Sequence, residues 1–284
     1  MPEGPEVKTI TEGLNTLLSG NILTEFIITA KSRYHTKAPD GYNGFLQSMS
    51  GGAVVKVSSV QCKGKFIWWT FSNGWLLWQT LGMSGGWYHV KKQFSGIELS
   101  YQTNNGDIRS LYYNDQRHFG TLKFFEPQTA QQELRWKLQS LGPDMLSDTA
   151  LDFDKFKLIM RKATIAKKIV SNAIVDQSII SGVGNYLRSE ALYKAGINPH
   201  RLVSSLSDTE LEALFTAIRH TIRASYRTGG ASIQHYSDIN NTPGTFEFSM
   251  AVYGKKKDPE GHTVLAEKIG KDTQTTYWVA EKQV

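Results

Sequence analysis

Ile180-Ser181-Gly182-Val183-Gly184-Asn185-Tyr186-Leu187 is the stretch on which the reading of the whole chain turns. Two glycines, one residue apart, separate segments with helical periodicity. Glycine allows tight turns and lets backbone N–H groups face outward. Such a turn at a helix start suits phosphate, because the first amides of a helix have no intrahelical acceptor and the dipole favours an anion. Asn185 adds a side-chain donor at the same point. A plain packing corner between two helices has the same sequence, so both readings stay open at this level. A nucleotide-binding Gly-x-Gly-x-x-Gly loop does not fit, since no strand pattern precedes it.

The surroundings of this stretch are helical. Apolar periodicity predicts helices over 152–161, 167–178, 186–195 and 208–226. The last opens with a capping box, Ser207 with Glu210, and closes at Gly229-Gly230. Beyond it the pattern returns to strand over 245–252, 263–269 and 275–279, the last two reading as a hairpin around 270–272. Upstream, a Gln/Leu-rich helical segment at 130–141 stops at Gly142-Pro143-Asp144. From 21 to 125 the chain reads as short strands, at 22–29, 53–60, 65–71, 75–80, 97–103 and 108–113, with Asn104-Asn105-Gly106-Asp107 as a hairpin turn. Ahead of them, Val7, Ile10, Leu14, Leu17 and Leu18 share one helical face and Gly20 closes it. The predicted fold class is therefore α+β in two domains: an N-terminal β-sandwich with a leading helix over 1–128, a linker over 129–150, and a helical domain over 151–284. The last of these carries a β-hairpin finger at about 246–284.

Composition narrows the function classes. Hydrophobic residues make up 40% of the 284, enough for a real core. Lys+Arg number 32 against 26 Asp+Glu, a balance that suits a polyanionic partner. The single cysteine, Cys62, excludes an intramolecular disulfide and any zinc site needing two thiolates. It also fits a reducing intracellular compartment, cytoplasm or nucleus. No apolar run reaches membrane-spanning length. A monomer without a cofactor or metal is expected.

Several residues carry possible chemistry. With Met1 removed, Pro2 presents a secondary amine whose ordinary pKa, near 8, leaves a usable unprotonated fraction at neutral pH. The adjacent helix start favours the neutral form further. A secondary amine adds to an aldehyde-like carbon and gives an iminium, an electron sink. Glu3 and Glu6 are close in sequence and could move protons. Pro2 and Pro5 also simply suit the first turn of a helix. Lys65, after Gly64, could grip a phosphate or be a solvated strand-end charge. Asn114-Asp115-Gln116-Arg117-His118-Phe119-Gly120 is a polar loop with an aromatic at its end, and Arg plus Phe on one loop suits base recognition and wedging. Leu81-Gly82-Met83-Ser84-Gly85-Gly86 puts Met83 on a Gly-rich turn, as apolar wedges for extruded bases do. An ordinary hairpin connection and a buried Met fit these two segments as well.

Taken together and in order, these segments resemble the Fpg/Nei superfamily of DNA glycosylases. The resemblance covers nearly the whole chain: Met1-Pro2-Glu3-Gly4-Pro5-Glu6, Gly64-Lys65, Leu81-Gly82-Met83-Ser84-Gly85, residues 115–120, Leu141-Gly142-Pro143-Asp144, and Gly182-Val183-Gly184-Asn185-Tyr186-Leu187 with Glu190. Gly4 matches the endonuclease VIII (Nei) side. The resemblance implies a bifunctional glycosylase/AP lyase that excises an oxidised base (pyrimidine, hydantoin or formamidopyrimidine) from damaged DNA and cleaves the strand by β,δ-elimination. It implies Pro2 as Schiff-base nucleophile, Glu3 as general acid/base and Glu6 in support of that network. Lys65 and Asn185 would hold phosphates, and Met83, Arg117 and Phe119 would fill the gap left by the flipped nucleotide.

Three departures accompany the resemblance. The family's C-terminal zinc finger has four cysteines, whereas here Glu260, Thr263, Val279 and Lys282 stand at about those positions, as in the zincless-finger branch. Packing of Val264, Ile269, Tyr277 and Trp278 would then replace the metal. Gln274 stands where the finger usually supplies an arginine, with Lys271 three residues earlier as a substitute cation. His118 stands where a second arginine is frequent. The span 229–244 has the length of the Fpg base-capping loop rather than the shorter Nei form. A damage-binding protein without catalysis is the alternative these departures leave.

Overall fold

The computed structural model describes residues 2–51, 54–231, 244–270 and 273–284. The chain divides into two compact units. The first comprises Met1–Pro2, Glu6–Gln139 and Gly229–Gly244, and the second Glu3–Pro5, Ser140–Thr228 and Thr245–Val284.

The first unit contains most of α1 (Gly4–Leu18), then β1 (Ile22–Ile28), α2 (Tyr42–Ser50), β2 (Val57–Lys63), β3 (Phe66–Phe71) and β4 (Leu76–Thr80). β5 (Gly86–Tyr88), β6 (Ser95–Gln102), β7 (Ile108–Asn114), β8 (Thr121–Phe125) and α3 (Pro127–Ser140) complete it. Two antiparallel four-stranded sheets, β1-β6-β7-β5 and β2-β3-β4-β8, form the expected sandwich. Alternating residues face inward: Phe26, Leu99 and Leu111 from one sheet and Val60, Trp69 and Leu77 from the other are at most 3% exposed. The face of α1 read from periodicity, with Val7, Ile10, Leu14 and Leu18, belongs to the same core. Two buried indoles there, Trp69 and Trp87, each donate Nε1–H to Gln79 Oε1 at 3.2 Å, which satisfies both without opening the core to water.

One helix of this unit was not read from the sequence, and one expectation needs correction. Residues 42–50, to which no element was assigned, are helical. Tyr42 and Phe45, three apart, both reach the aromatic cluster of Phe26 and Phe124, with Phe45 stacked on Phe124 at 4.9 Å. The segment expected as a linker at 129–150 is divided between the units. α3 belongs to the sandwich, since Ala130 and Leu134 are buried, Lys63 Nζ donates to Leu138 O at 2.9 Å and Lys137 lies over the Phe66 ring. The boundary falls at Gln139/Ser140.

The second unit contains α4 (Phe153–Met160), α5 (Ala163–Ala166), α6 (Val170–Ala173), α7 (Asn185–Ala195), α8 (Asp208–Arg227), β9 (Leu265–Lys268) and β10 (Thr275–Trp278). α7 and α8 pack together over Leu187, Leu192, Leu214 and Ile218, all fully buried. The capping box at Ser207 and Glu210 starts α8 as read from the sequence. The single helix expected over 167–178 is instead the one-turn α6, with α5 before it. Ile169 is extended and bridges Leu202, Val170 N donates to Arg201 O and Val203 N to Lys168 O, so this backbone is committed to a neighbouring segment. Asp176 then closes a side-chain turn on Ser178 N.

The strand expected over 245–252 is a 3-10 turn at Phe246–Ser249. The amides that follow it donate to a carboxylate rather than to a ladder. The hairpin was read correctly: β9 and β10 pair antiparallel from Thr275↔Lys268 to Trp278↔Leu265.

Candidate active site

α7 is closed around its charged residues. Arg188 and Glu190 are at most 1% exposed, unusual for ionised side chains, so each needs partners. Glu190 Oε1 accepts Val252 N at 2.9 Å and Tyr253 N at 2.8 Å, and Oε2 accepts Ala251 N at 2.9 Å. Arg188 Nη2 donates to Asn185 Oδ1. The bonds to Glu190 fix the backbone of Tyr253. Its ring meets Tyr277 at 5.0 Å and Tyr186 at 6.3 Å, and its hydroxyl bonds the Asn185 side chain. Burial, reinforced by the negative charge of Glu3, pushes the Tyr253 hydroxyl above the ordinary tyrosine range.

Glu3 reaches this same helix end. It is 2% exposed, and its Oε1 and Oε2 accept Tyr186 N and Leu187 N at 2.9 and 3.3 Å. These are first-turn amides, which have no acceptor inside the helix. A residue 183 positions away in sequence thus supplies the side-chain cap that Gly184 cannot. Gly4 N donates to Gly182 O at 2.8 Å, which ties the backbone beside Glu3 to the glycine turn. A Cβ on Gly4 would lie 3.0 Å from Gly182 backbone atoms, so any side chain there would push the glycine turn back by a few tenths of an ångström. Gly182 itself turns at φ +97°, with its N–H held by Gln177 Oε1 at 3.0 Å.

The opening stretch is therefore not a simple cradle of outward amides. Some of its N–H groups serve Glu3 and Gln177. Those of Val183, Gly184 and Asn185 have no acceptor among the described residues.

The remaining predicted site residues of the first unit form separate groups. Pro2 is buried immediately ahead of α1. Glu6 is 1% exposed and its Oε1 accepts Ala231 N at 2.7 Å. A Cβ on Gly230 would come within 2.7 Å of that oxygen, so Glu6 anchors the entrance to the 229–244 span. The length argument about that span falls largely on 232–243, outside the described residues. Lys65 is half-buried in the turn joining β2 and β3, where Gly64 has φ +58°.

Met83 and Arg117 meet, with Arg117 Nη1 3.6 Å from Met83 Sδ, and Phe119 is 55% exposed on the same loop as Arg117. The structure thus brings together the three residues expected to enter a duplex. His118 is exposed in the left-handed region at φ +56°.

In the finger, Gln274 is half-buried just before β10, and Lys271 lies outside the described residues. The positions where cysteines were expected do not fit zinc. Val279 is fully buried with Val252 and Val264, and Lys282 pairs with Glu260. Asp258 occupies the centre, accepting Tyr193 Oη at 2.9 Å, Glu260 N at 3.0 Å and His262 N at 2.9 Å. Burial disfavours its charge, but the bonds from Tyr193, His262 and Glu260 outweigh that and hold the carboxyl well below the usual range. The expected apolar packing is present, with Ile269 and Trp278 buried and Tyr277 against the Val252 cluster. Sequence reasoning missed the Asp258 knot, Arg188 and Tyr253. Only Asp258-Pro259-Glu260-Gly261, a turn signal, gave any hint of the first.

Comparison with known proteins bears on these arrangements. Residues 1–122 match the formamidopyrimidine-DNA glycosylase N-terminal domain, 141–237 its H2TH domain and 237–283 its C-terminal domain. The formamidopyrimidine-DNA glycosylase of Rickettsia felis is 32% identical, over 90% of this chain and 88% of its own length. That of Cronobacter sakazakii is 30% identical over 98% of both. Among solved structures, the MutM (Fpg) protein of Thermus thermophilus matches with a TM-score of 0.79 and 27% identity, covering 99% and 98% of the two chains. The Lactococcus lactis Fpg in complex with abasic-site DNA shares the fold, with a TM-score of 0.80 at 22% identity and 99% coverage of both.

Proposed function

Since the chain belongs to the formamidopyrimidine-DNA glycosylase family, we propose that it excises oxidised bases from damaged DNA through a Schiff base on Pro2 and then cleaves the strand by β,δ-elimination. The observation that carries this reading is the Glu3 carboxylate, one residue from Pro2, held by two amides at the start of α7. A carboxylate fixed in that way is oriented before substrate arrives, as a proton-transfer group must be.

The Pro2 nitrogen forms a bond to C1′ as the bond from C1′ to the base breaks, and the base departs with a proton. Glu3 serves the sugar-ring oxygen during opening, which yields the iminium. The iminium draws electrons from C2′ after its proton is lost, so the C3′–O bond breaks, and the C5′–O bond breaks in the next elimination. Water then hydrolyses the imine and frees Pro2. The amides of Val183, Gly184 and Asn185, without an acceptor among the described residues, and Lys65 would hold backbone phosphates on either side of the lesion. Met83, Arg117 and Phe119 would occupy the space the extruded nucleotide leaves. The finer assignment to the Nei-like, zincless branch rests on Gly4 and on the cysteine-free finger.

Borohydride trapping on a duplex with one abasic site, followed by mass spectrometry of the linked peptide, tests the mechanism. A cross-link on Pro2, lost in Pro2→Gly, is expected. Full trapping by Pro2→Gly would refute the nucleophile. Binding without any cross-link, from protein whose N-terminus is verified as Pro2, would favour the damage-binding reading, to which Gln274 and His118 give some support.

A further inference from the structure

Met83, Arg117 and Phe119 sit on two different connections, the turn after β4 and the loop after β7. Their joint use demands that these connections keep a fixed relation. Asp115 lies between them and is only 6% exposed. Its Oδ1 accepts Ser84 Oγ at 2.6 Å from the first connection and Arg117 N at 3.3 Å from its own. Its Oδ2 accepts Gly120 N at 2.7 Å, which closes the loop behind Phe119. Ser84 Oγ also accepts Arg117 N at 3.0 Å. From outside, Arg33 Nη1 donates to His118 O at 3.1 Å and Gly120 O at 3.4 Å.

Backbone approach is equally close. A Cβ on Gly82 would lie 2.5 Å from Gly120 N and 2.6 Å from Phe119 C, and Gly82 has φ +64° besides. No ordinary residue fits there.

We propose that Asp115 is a positioning residue for lesion recognition: with Ser84 it clasps the two connections into one preformed wedge, while Arg33 braces the loop after β7. The proposal rests on the reading that Met83, Arg117 and Phe119 fill the gap in the duplex. The physical gain is preorganisation. Two free loops would lose conformational freedom on entering DNA, and this clasp removes that cost before binding. A buried carboxylate suits the task because it can accept three donors from two chain segments at once, which a neutral amide cannot.

The test compares the equilibrium affinity of the full-length protein for an uncleavable abasic-site analogue in duplex and in single-stranded DNA of the same sequence. Single strands have no stack to fill, so the wedge contributes only to the duplex. Asp115→Asn is expected to weaken duplex binding about 10- to 100-fold and to leave single-strand binding nearly unchanged. Simple electrostatics predicts the reverse, since removing a negative charge should tighten binding to both DNAs. Ser84→Ala, which removes one link of the clasp, should show a smaller loss of the same kind and keeps the test open if Asp115→Asn does not fold. Equal weakening on both DNAs would make Asp115 a general structural residue and overturn the proposal. A duplex-selective loss in Met83→Ala and Phe119→Ala, with none in Asp115→Asn or Ser84→Ala, would also overturn it while sparing the gap-filling reading. No duplex-selective loss in any of the four would remove that reading and the proposal together.

Discussion

Replacing Glu190 by Gln should destabilise the second unit far more than an isosteric change ordinarily does. Glu190 is 1% exposed and accepts three backbone amides, two on Oε1 and one on Oε2. In the Gln variant the amide oxygen can keep the pair from Val252 and Tyr253, now as neutral bonds. Its NH2 group must then face Ala251 N–H, donor against donor. Stranding one buried donor costs about 1–3 kcal/mol, and the two surviving bonds lose roughly 0.5–1 kcal/mol each with the charge. The sum is about 2–5 kcal/mol, a large share of the ~5–15 kcal/mol that stabilises a domain.

At about 2–4 °C per kcal/mol, the transition of the second unit should fall by roughly 4–20 °C. Calorimetry of the full chain is the assay, because two compact units need not melt together. The same bonds fix the Tyr253 backbone and, through its hydroxyl, the Asn185 side chain. Affinity for abasic-site DNA should therefore fall even well below the melting temperature. A Gln variant melting within a degree of the parent would refute the account of Glu190 as a fully used charged acceptor.

Two further outcomes follow from the finger and from α8. Prolonged exposure to a strong zinc chelator should change neither the melting profile nor lesion binding, because Val279, Lys282 and Glu260 offer no zinc donor set; a chelator-induced loss of the finger would contradict that fit. Acid should act at Glu210, whose carboxyl is lowered from 4.5 to about 2, chiefly by the Arg201 guanidinium against the opposing effect of burial. A depressed folded-state pKa stabilises above about 4.5 and is lost as pH falls toward 2. Glu210→Gln should accordingly be less stable at neutral pH and lose less between pH 4.5 and 2 than the parent; an unchanged acid limb, read by circular dichroism, would contradict the assignment.

Much of this protein could be read from periodicity and turn chemistry. The α1 face, the Ser207 capping box, most strands of the sandwich and the β9–β10 pairing are local patterns, and their cause lies within a few residues. Where the reading failed, a distant partner decided. Residues 167–169 leave the helix because their backbone pairs with 201–203, and residues 251–253 leave the ladder because Glu190 takes their amides.

The candidate site divides in the same way. By themselves, Pro2, Glu3, Lys65, Met83, Arg117, Phe119 and Asn185 stood out in the sequence as residue types at telling places. Tertiary structure alone shows that Glu3 caps a helix 183 positions away, that Asp115 joins two connections, and that Asp258 with Tyr193 and His262 occupies the heart of the finger. The physical reason is that periodicity records which face of an element is buried, whereas a buried polar group is defined by its partner. No pattern along a single strand or helix encodes which distant donor a carboxylate will meet.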